Sequence, residues 1–492
     1  MKVEKMVKKG WVVLAAVVLT ASSALAANIE TMGIGVMNTG QAGAVSAYCD
    51  NVFAAYYNPA GLTLIEKPTL TAGSMVYHAQ IKVYDWNVTG YPTDPAYGGA
   101  FENGNVAKGP LDFDSDEMVV ASPSLGFAMP MTDKISLGVA VYTPYGLRVT
   151  WDKDPANSPS SAYAWESYYG RVAFTPTLAY KVSDKFSVGV GVSLGRSVSE
   201  AGKTVEFSDG AKAGLVSIAK QADASEEDKK NAFGAMMFDG AQMKLEATDD
   251  FNYSFNVGLM YRPIEQLSFG LTYRGRTETD FEGDVMVKNA TAINPANLQP
   301  ISGQGGLNLD GSVKMEFDHP EQVQAGVRWF ANEKLEIEAD VTWTGWSVNK
   351  RQDENITLLV GGKEMFQTFK HDRYWEDTTA YRLGASYQAT EAFSFRAGYT
   401  YDPSPVPDET FEFGWPDTDR NVYALGMGWK INDRWMMDAV LQHIISTEKR
   451  PTTGGSTELN TNYKGVYGPG AKVSCKDEGI LWGAGVSLTY SF

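Results

Sequence analysis

Residues 482–492 read WGAGVSLTYSF, and this stretch decides the fold. Apolar side chains occupy every second position from Trp482 to Phe492, and glycine, serine or threonine occupies each position between them. Alternation with a period of two indicates a β-strand whose two faces meet different surroundings. A soluble sandwich and a transmembrane barrel both use such strands, so the order of turns and loops has to separate them.

Short polar turns recur along the chain, and each is followed by another alternating run. The six turns are 132–134, 183–185, 264–266, 332–334, 390–392 and 432–434. Links of this length between alternating runs indicate β-hairpins. They alternate with long connections at about 82–117, 146–168, 207–242, 288–311, 350–377, 403–419 and 447–478. Short turns at one end and long loops at the other are typical of an outer-membrane barrel.

The hairpins also count the strands. Six hairpins supply twelve strands, and a first and a last strand bring the number to fourteen, an even number as in bacterial single-chain barrels. We therefore predict an all-β fold, a 14-stranded antiparallel transmembrane β-barrel in the outer membrane of a Gram-negative bacterium. Closed strands satisfy every backbone hydrogen-bonding group in lipid. The aromatic residues predicted to form the periplasmic girdle are Tyr180, Tyr261, Trp329, Tyr387, Trp429 and Phe492.

The chain before the barrel has two parts. Residues 1–26 contain four lysines, a short apolar core and an Ala-x-Ala ending, which predicts a secretory signal peptide. Residues 27–66 are rich in glycine and alanine and do not alternate; a short helix from Asp50 to Tyr57, capped by Asp50, is predicted within them. A fourteen-stranded lumen is wider than wall side chains can fill. We therefore expect 27–66 to form a plug, or hatch, inside a barrel of residues 67–492.

Composition and residue scatter argue against other classes of protein. The chain carries 59 acidic and 42 basic residues, a net charge of −17, which disfavours nucleic acid as a partner. With two cysteines, Cys49 and Cys475, no disulfide framework can form, and the sequence leaves open whether they pair. Four scattered histidines without a catalytic motif disfavour an outer-membrane hydrolase, so no catalytic, cofactor or metal site is predicted. A passive porin stays as an alternative, although it would not need a plug.

Residues 56–62, YYNPAGL, resemble the NPA motif of the FadL family, which transports long-chain fatty acids and includes transporters of aromatic hydrocarbons. Residues 145–147, Trp151, 372–375 and the stretch YDPSPVP…PDTDR at 401–420 extend the resemblance over nearly the whole mature chain. The resemblance implies extracellular capture of a hydrophobic ligand, passage to an internal pocket and lateral release into the membrane beside a kinked third strand. It also implies that Asn58, Pro59, Ala60 and Gly61 form the hatch gate, and it favours a monomer.

Candidate ligand contacts follow from spacing and charge. In the loop 207–242, apolar residues at helical spacing predict an extracellular capture groove formed by Leu215, Ile218, Phe233, Met236 and Met237; the alternative is that these faces pack on the barrel rim. Alternation directs six arginines into the lumen: Arg171, Arg274, Arg276, Arg328, Arg382 and Arg396. Arg171, Arg274 and Arg382 are the candidates for a fatty-acid carboxylate, because arginine pairs with carboxylates through two parallel hydrogen bonds. An uncharged hydrocarbon would not need them.

Two further partners are expected of an outer-membrane barrel. Its apolar outer face would contact membrane lipid. The chain ends in Tyr490, Ser491 and Phe492, which resembles the aromatic ending that outer-membrane assembly machinery recognises. The third strand, predicted from Lys134 to Tyr145, contains Gly138 and reaches Pro144, residues that weaken a ladder and permit a kink.

Overall fold

The computed structural model of the chain describes residues 30–31, 33–90, 107, 109–206, 209–220, 225, 229, 236–291, 293–294, 299–300, 306–360, 362–450 and 472–492. Its strands are β1 Thr69–Thr89, β2 Leu111–Asp114, β3 Met118–Pro130, β4 Ile135–Thr150, β5 Glu166–Ser183, β6 Phe186–Thr204, β7 Gln242–Ile264, β8 Leu267–Arg274, β9 Phe281–Ala290, β10 Ile293–Asn294, β11 Gln299–Pro300, β12 Leu307–Met315, β13 Gln322–Phe330, β14 Leu335–Thr344, β15 Arg351–Val360, β16 Lys363–Asp372, β17 Thr378–Gln388, β18 Phe393–Asp402, β19 Arg420–Lys430, β20 Trp435–Arg450 and β21 Lys472–Ser491.

Helices are few and short among the residues that the structure describes. The α-helices are Val36–Thr39, Ala54–Tyr57 and Asp209–Lys220, and the 3-10 helices are Pro59–Leu64, Pro159–Ala162, Trp346–Val348 and Asp408–Thr410. Within the described part of the chain, no helix has the length and apolar character needed to cross a membrane.

Fourteen of the strands close into a barrel wall, which confirms the predicted fold. Around the wall the order is β1, β3, β4, β5, β6, β7, β8, β13, β14, β17, β18, β19, β20 and β21. β21 then pairs antiparallel with β1, from Thr69 opposite Ser491 to Thr89 opposite Lys472. Each of the six predicted turns joins two neighbouring wall strands.

The long connections contain more strand than the sequence predicted. Four of these strands extend the sheet beyond the wall on the side opposite the short turns: β9, β12, β15 and β16. They pair in sequence, β7 with β9, β9 with β12, β12 with β15, and β15 with β16. We call these four strands the crown. β2, β10 and β11 are also strands in regions predicted as loops. The long connections predicted at 288–311 and 350–377 therefore contain strands, because ladder hydrogen bonds continue beyond the fourteen-stranded wall.

The outward face of the wall has the predicted aromatic residues. Tyr180, Tyr261, Trp329, Tyr387, Trp429 and Phe492 are all exposed and lie next to the short turns. Inward-facing residues of the crown and of the adjoining wall form a buried apolar core that includes Val285, Leu309, Ile356 and Leu358. The wall therefore has apolar side chains on its outer surface, and the crown has them on its inner surface.

Candidate functional site

The NPA segment is buried and fixed by its own hydrogen bonds. Asn58 is 1% exposed; its Nδ2 donates to the carbonyl oxygens of Ser46 at 2.6 Å and Leu259 at 3.0 Å, and its Oδ1 accepts from the Ala60 amide at 3.1 Å. An asparagine at the N-cap satisfies an amide that a helix start leaves unpaired, and proline fits the first helical position. Asn58 thus begins the helix Pro59–Leu64 and ties it to the wall strand β7.

Wall glycines make room for this segment. A methyl group at Gly258 would collide with Asn58 Oδ1 and Pro59 Cδ, and one at Gly189 would collide with the backbone of Pro59 and Ala60. Gly61 approaches the Cys49 carbonyl equally closely. All four predicted gate residues therefore lie in one buried layer against β6 and β7. Other wall glycines that face residues 40–62 are Gly126, Gly138, Gly270, Gly384, Gly398 and Gly426.

Wall side chains also bind the backbone of the N-terminal segment from several directions. The contacts are Ser268 Oγ to Ala47 O at 2.6 Å, Asn256 Nδ2 to Ala55 O at 2.7 Å, Thr272 Oγ1 to Tyr57 O at 2.9 Å, Thr400 Oγ1 to Ala42 O at 2.9 Å, Ala47 N to Glu338 Oε1 at 2.6 Å and Ser46 N to Asp340 Oδ2 at 3.1 Å. These partners belong to β7, β8, β14 and β18. The segment is therefore anchored across the closed wall. The predicted domain boundaries at 26/27 and 66/67 stay predictions, and the predicted signal peptide lies outside the described residues.

The predicted helix in this segment is shorter than expected. It covers Ala54–Tyr57, its N-cap residue is Phe53, and no side chain caps it. Asp50 is exposed, and it is the Asn51 side chain that accepts a hydrogen bond from the Phe53 amide at 3.0 Å. The prediction that Asp50 caps the helix was wrong, because the chain turns at 51–53 before helical hydrogen bonds begin. Cys49 and Cys475 are both buried and are not joined in a disulfide.

Arg171 is a buried cation with neutral partners. Its side chain, on β5, is 3% exposed; Nε donates to Asn252 Oδ1 at 2.8 Å and Nη1 to Ser193 Oγ at 3.2 Å. Nη2 has no hydrogen-bond acceptor among the described residues. This guanidinium therefore keeps one unused donor group within the protein.

Arg274 and Arg382 line a common cavity of about 40 Å³ next to the N-terminal segment. Arg274 donates to Gln322 Oε1 at 2.8 Å and Gln324 Oε1 at 3.0 Å, and Arg382 donates to Thr342 Oγ1 at 2.5 Å. The cavity is also lined by Tyr56, Tyr57, Gly43 and Glu30. The structure thus brings two of the three candidate arginines together, with Arg171 at a separate position on β5.

These three arginines differ from the other arginines of the interior. Arg328 pairs with Glu336 and Glu338, Arg396 with Asp438, Arg420 with Asp402 and Arg373 with Glu412. Within the described part of the chain, Arg171, Arg274 and Arg382 form no ion pair with a carboxylate. The prediction that Arg276 points into the lumen was wrong: β8 ends at Arg274, and Arg276 is exposed and paired with Asp318.

The third wall strand leaves its neighbour half-way along. β4 pairs with β3 only from Ser136 opposite Pro130 to Val141 opposite Leu125, and residues 118–124 of β3 pair with β1 alone. From Ala140 to Leu147 every residue of β4 is buried, so the usual alternation is lost there. The register with β5 shifts between Tyr142 and Tyr145, around Pro144. β4 therefore turns inward, which leaves a gap in the ladder between β3 and β4.

Aromatic side chains fill the interior beneath the crown. Phe413, from the connection 403–419, is fully buried and packs against Trp86, Phe113 and Trp151 with ring centroids 5.3–5.5 Å apart. Trp151 Nε1 also donates to the Phe413 carbonyl at 3.1 Å. This role of 403–419 was not predicted from the sequence, although the aromatic residues at 411, 413 and 415 were a usable signal.

Only some of the predicted capture residues belong to one cluster. Met236 and Met237 are buried and pack with the partly buried Leu215, and the same cluster includes Leu307 and Val360 of the crown. Ile218 is 39% exposed and lies outside this cluster, and Phe233 lies outside the described residues. The helix Asp209–Lys220 is thus docked on the crown by one apolar face.

Comparison with known proteins agrees with this architecture. The family described as outer membrane protein transport protein (OMPP1/FadL/TodX) matches residues 17–492. The chain belongs to this family. It is 24% identical over 489 residues to the long-chain fatty acid transport protein of Escherichia coli O6:H1, with 97% of each chain covered.

Two crystal structures share the fold of this FadL-family chain. A Pseudomonas aeruginosa FadL homologue has 19% identity and a TM-score of 0.70, covering 95% of this chain and 100% of the homologue. The Pseudomonas putida toluene transporter TodX has 16% identity and a TM-score of 0.65, covering 94% and 99%. The chain is accordingly a Gram-negative outer-membrane transporter of hydrophobic compounds, and it is not an enzyme.

Proposed function

We propose that this protein takes up long-chain fatty acids and releases them sideways into the outer membrane. The observation that carries the proposal is the set of three interior arginines without a carboxylate partner: Arg171, Arg274 and Arg382. A desolvated charge is costly unless it is paired, and neutral amides and hydroxyls compensate it only in part. A fatty-acid carboxylate would supply the missing charge.

Arg171 is the strongest candidate for the carboxylate contact. Its Nη2 is buried without an acceptor, while Asn252 and Ser193 hold the rest of the guanidinium in place. A carboxylate oxygen could accept from Nη2 without breaking either bond. Because charge-assisted hydrogen bonds are worth roughly 1.5–3 kcal/mol each, losing this one should weaken binding about ten- to hundredfold.

The proposed route begins at the crown. Met236, Met237 and Leu215 pack against Leu307 and Val360 there, and the flexible methionine side chains could repack around an alkyl chain. Phe413 belongs to the same buried apolar cluster as Tyr145 and Tyr169, and these two residues neighbour Arg171 in the wall. Each step keeps the alkyl chain out of water, and the favourable free energy of burying apolar surface is maintained along the way.

The proposed exit is the gap between β3 and β4. The N-terminal segment is held by hydrogen bonds to side chains of four wall strands, so moving it aside would break many buried contacts at once. The ladder beside residues 118–124 of β3, in contrast, is already open toward β4. A sideways path also delivers the alkyl chain to lipid instead of periplasmic water.

An aromatic hydrocarbon is the second candidate ligand, supported by the interior rings around Phe413, Trp86 and Trp151. Aromatic pairs favour edge-to-face contacts, which such a lining offers to a small aromatic ligand. A hydrocarbon has no charge for Arg171 to bind. The two candidates therefore predict opposite effects of removing that charge.

The test is uptake by cells carrying Arg171→Met, with Arg276→Met as the matched control on an exposed, ion-paired arginine. Labelled oleate and labelled toluene are supplied at equal surface levels of protein. We expect Arg171→Met to reduce oleate uptake at low concentration about tenfold or more and to leave toluene uptake unchanged. Unchanged oleate uptake in both variants would refute the carboxylate contact, and toluene-only uptake by the unaltered protein would favour the second candidate. Native mass spectrometry of the purified protein would identify a co-purifying fatty acid.

The remaining expectations complete the proposal. We propose that the mature chain begins at Ala27, that residues 27–66 act as the hatch, and that the transporter works as a monomer in contact with outer-membrane lipid. Phe492 is exposed at the end of the last strand, where assembly machinery could bind it. Its removal should lower the amount of assembled barrel, as measured by heat-modifiable migration of folded protein in gels.

A further inference from the structure

The inward half of β4 pairs with the start of the N-terminal segment instead of with β3. Where β4 leaves β3, the Thr31 amide donates to the Pro144 carbonyl at 2.9 Å, and Glu30 forms a β-bridge with Tyr145. On its other edge, Tyr145 stays opposite Arg171 of β5. Two residues at the start of the described chain thus take the place that β3 would occupy.

The side chain of Tyr145 makes a second contact, with His319 from the connection between β12 and β13. The two rings are stacked, with centroids 4.2 Å apart and an interplanar angle of 12°. His319 is 1% exposed, and its Nε2 lies 2.5 Å from the hydroxyl oxygen of Tyr169 on β5. His319 therefore contacts both β4 and β5 at the height of Arg171.

The backbone of His319 is itself fixed. Its amide donates to the Thr277 carbonyl at 3.0 Å, and its carbonyl accepts from the Thr277 amide at 3.1 Å. Asn349 Nδ2 donates to the carbonyl of the preceding residue, Asp318, at 2.9 Å. These bonds fix the backbone that carries the imidazole, and the imidazole contacts β4 and β5 from that fixed position.

We propose that His319 is a positioning residue that holds β4 in its inward path and so keeps the β3–β4 gap open. A strand edge with unpaired backbone groups tends to find a pairing partner, and residues 118–124 of β3 are the nearest ladder available. The stacked ring and the hydrogen bond to Tyr169 oppose that return. The role of the gap in transport rests on the proposed lateral release. The effect of His319 on the path of β4 does not depend on that proposal.

Tyr169 links this contact to the proposed carboxylate position. Tyr169 and Arg171 are two residues apart on β5, so their side chains share one face of the sheet. Tyr145 is the cross-strand partner of Arg171. The two residues that His319 contacts, Tyr145 and Tyr169, are therefore direct neighbours of the residue proposed to bind the carboxylate, Arg171.

The test is hydrogen exchange of the full-length protein in lipid nanodiscs, followed by mass spectrometry. The variant His319→Ala removes both the ring stack and the hydrogen bond. The double variant His319→Phe, Tyr169→Phe keeps a ring that can stack on Tyr145, and it also removes the Tyr169 hydroxyl that would otherwise lose its hydrogen-bond partner. His371→Ala, a histidine of the crown, is the matched control. We expect His319→Ala to speed exchange at 142–150 about tenfold or more, with 435–446 of β20 unchanged. The double variant should stay within about threefold of the unaltered protein at 142–150.

Two results would overturn the inference. One is unchanged exchange at 142–150 in His319→Ala; the other is an equal increase in 142–150 and 435–446, which would indicate general loss of stability. Oleate uptake by the same variants separates this inference from the proposed function. If the unaltered protein takes up no oleate while His319→Ala still loosens β4, the proposed function fails and the positioning role stands. If uptake occurs and β4 is unaffected, the reverse holds.

Discussion

Replacing Asn58 by alanine should loosen the N-terminal segment without unfolding the barrel. The substitution removes three hydrogen bonds, to Ser46 O, Leu259 O and Ala60 N, from a residue that is 1% exposed. At about 0.5–1.5 kcal/mol each, the loss is about 1.5–4.5 kcal/mol. Since about 1.4 kcal/mol corresponds to a factor of ten, the locally open form should become about 10- to 1500-fold more populated.

Hydrogen exchange of peptides from residues 42–66 measures this opening, and peptides from β20 and β21 report on the wall. Asn349→Ala is the matched control, because Asn349 is also a buried asparagine with a side-chain hydrogen bond to a carbonyl, but it lies in the connection between β14 and β15. Faster exchange confined to 42–66 is expected for Asn58→Ala and not for the control. Exchange equal to that of the unaltered protein would refute the anchoring role.

A double substitution at Asn58 and Pro59 tests whether the predicted gate residues take part in transport. In a variant carrying Asn58→Ala and Pro59→Ala, we expect lower uptake of oleate at an unchanged surface level, because the segment beside the proposed route is no longer held in place. Equal uptake at an equal surface level would contradict a role of these residues in transport.

Three further predictions follow from the wall, the interior and the crown. Gly258→Ala should expose residues 42–66 to protease while the barrel still folds, since the added methyl group collides with the segment, whereas Gly275→Ala, whose nearest neighbour is a ring edge of Phe255 at 3.1 Å, should not. In planar bilayers the unaltered protein should show no large steady current, and Gly258→Ala should admit more frequent openings. Burial raises the pKa of the Glu354 carboxyl, but the interaction with His371 at 3.2 Å outweighs burial and lowers that pKa to about 2. The stability that the ionised carboxylate contributes is therefore present above about pH 4.5 and is lost as the pH falls toward 2. Hydrogen exchange of crown peptides, followed as the pH is lowered, would detect this loss.

Much of the fold could be predicted from the sequence. The period-two runs and the six short turns were enough for strand count, topology and the aromatic girdle, because in a membrane barrel each strand must present one face to lipid and must pair along both edges. The crown strands β15 and β16, and the parts of β9 and β12 within 288–311, were missed as strands, because the length of a connection does not show whether its ladder continues beyond the wall; the alternating residues Leu309, Ile356 and Leu358 were the available signal.

The candidate site was only partly predictable. The direction of Arg171 followed from alternation, and alternation failed for Arg276 because the strand ends two residues earlier. Which arginines have acidic partners depends on residues far apart in the chain, such as Arg396 and Asp438, so spacing carries no information about it. The inward turn of the third wall strand was expected only from the family resemblance, because glycine and proline permit a kink without specifying one.

The sequence by itself determined that the chain forms a closed fourteen-stranded barrel, because the alternation of each strand is a local property that the two faces of a membrane wall impose residue by residue. Only the tertiary structure decided what lies inside it. The seat of Asn58 between Ser46 and Leu259, the three arginines without acidic partners and the stack of Tyr145 on His319 all arise from contacts between distant segments. Such contacts depend on where β4 turns and how the N-terminal segment is seated, and these are fixed by packing across the lumen and not by any local pattern.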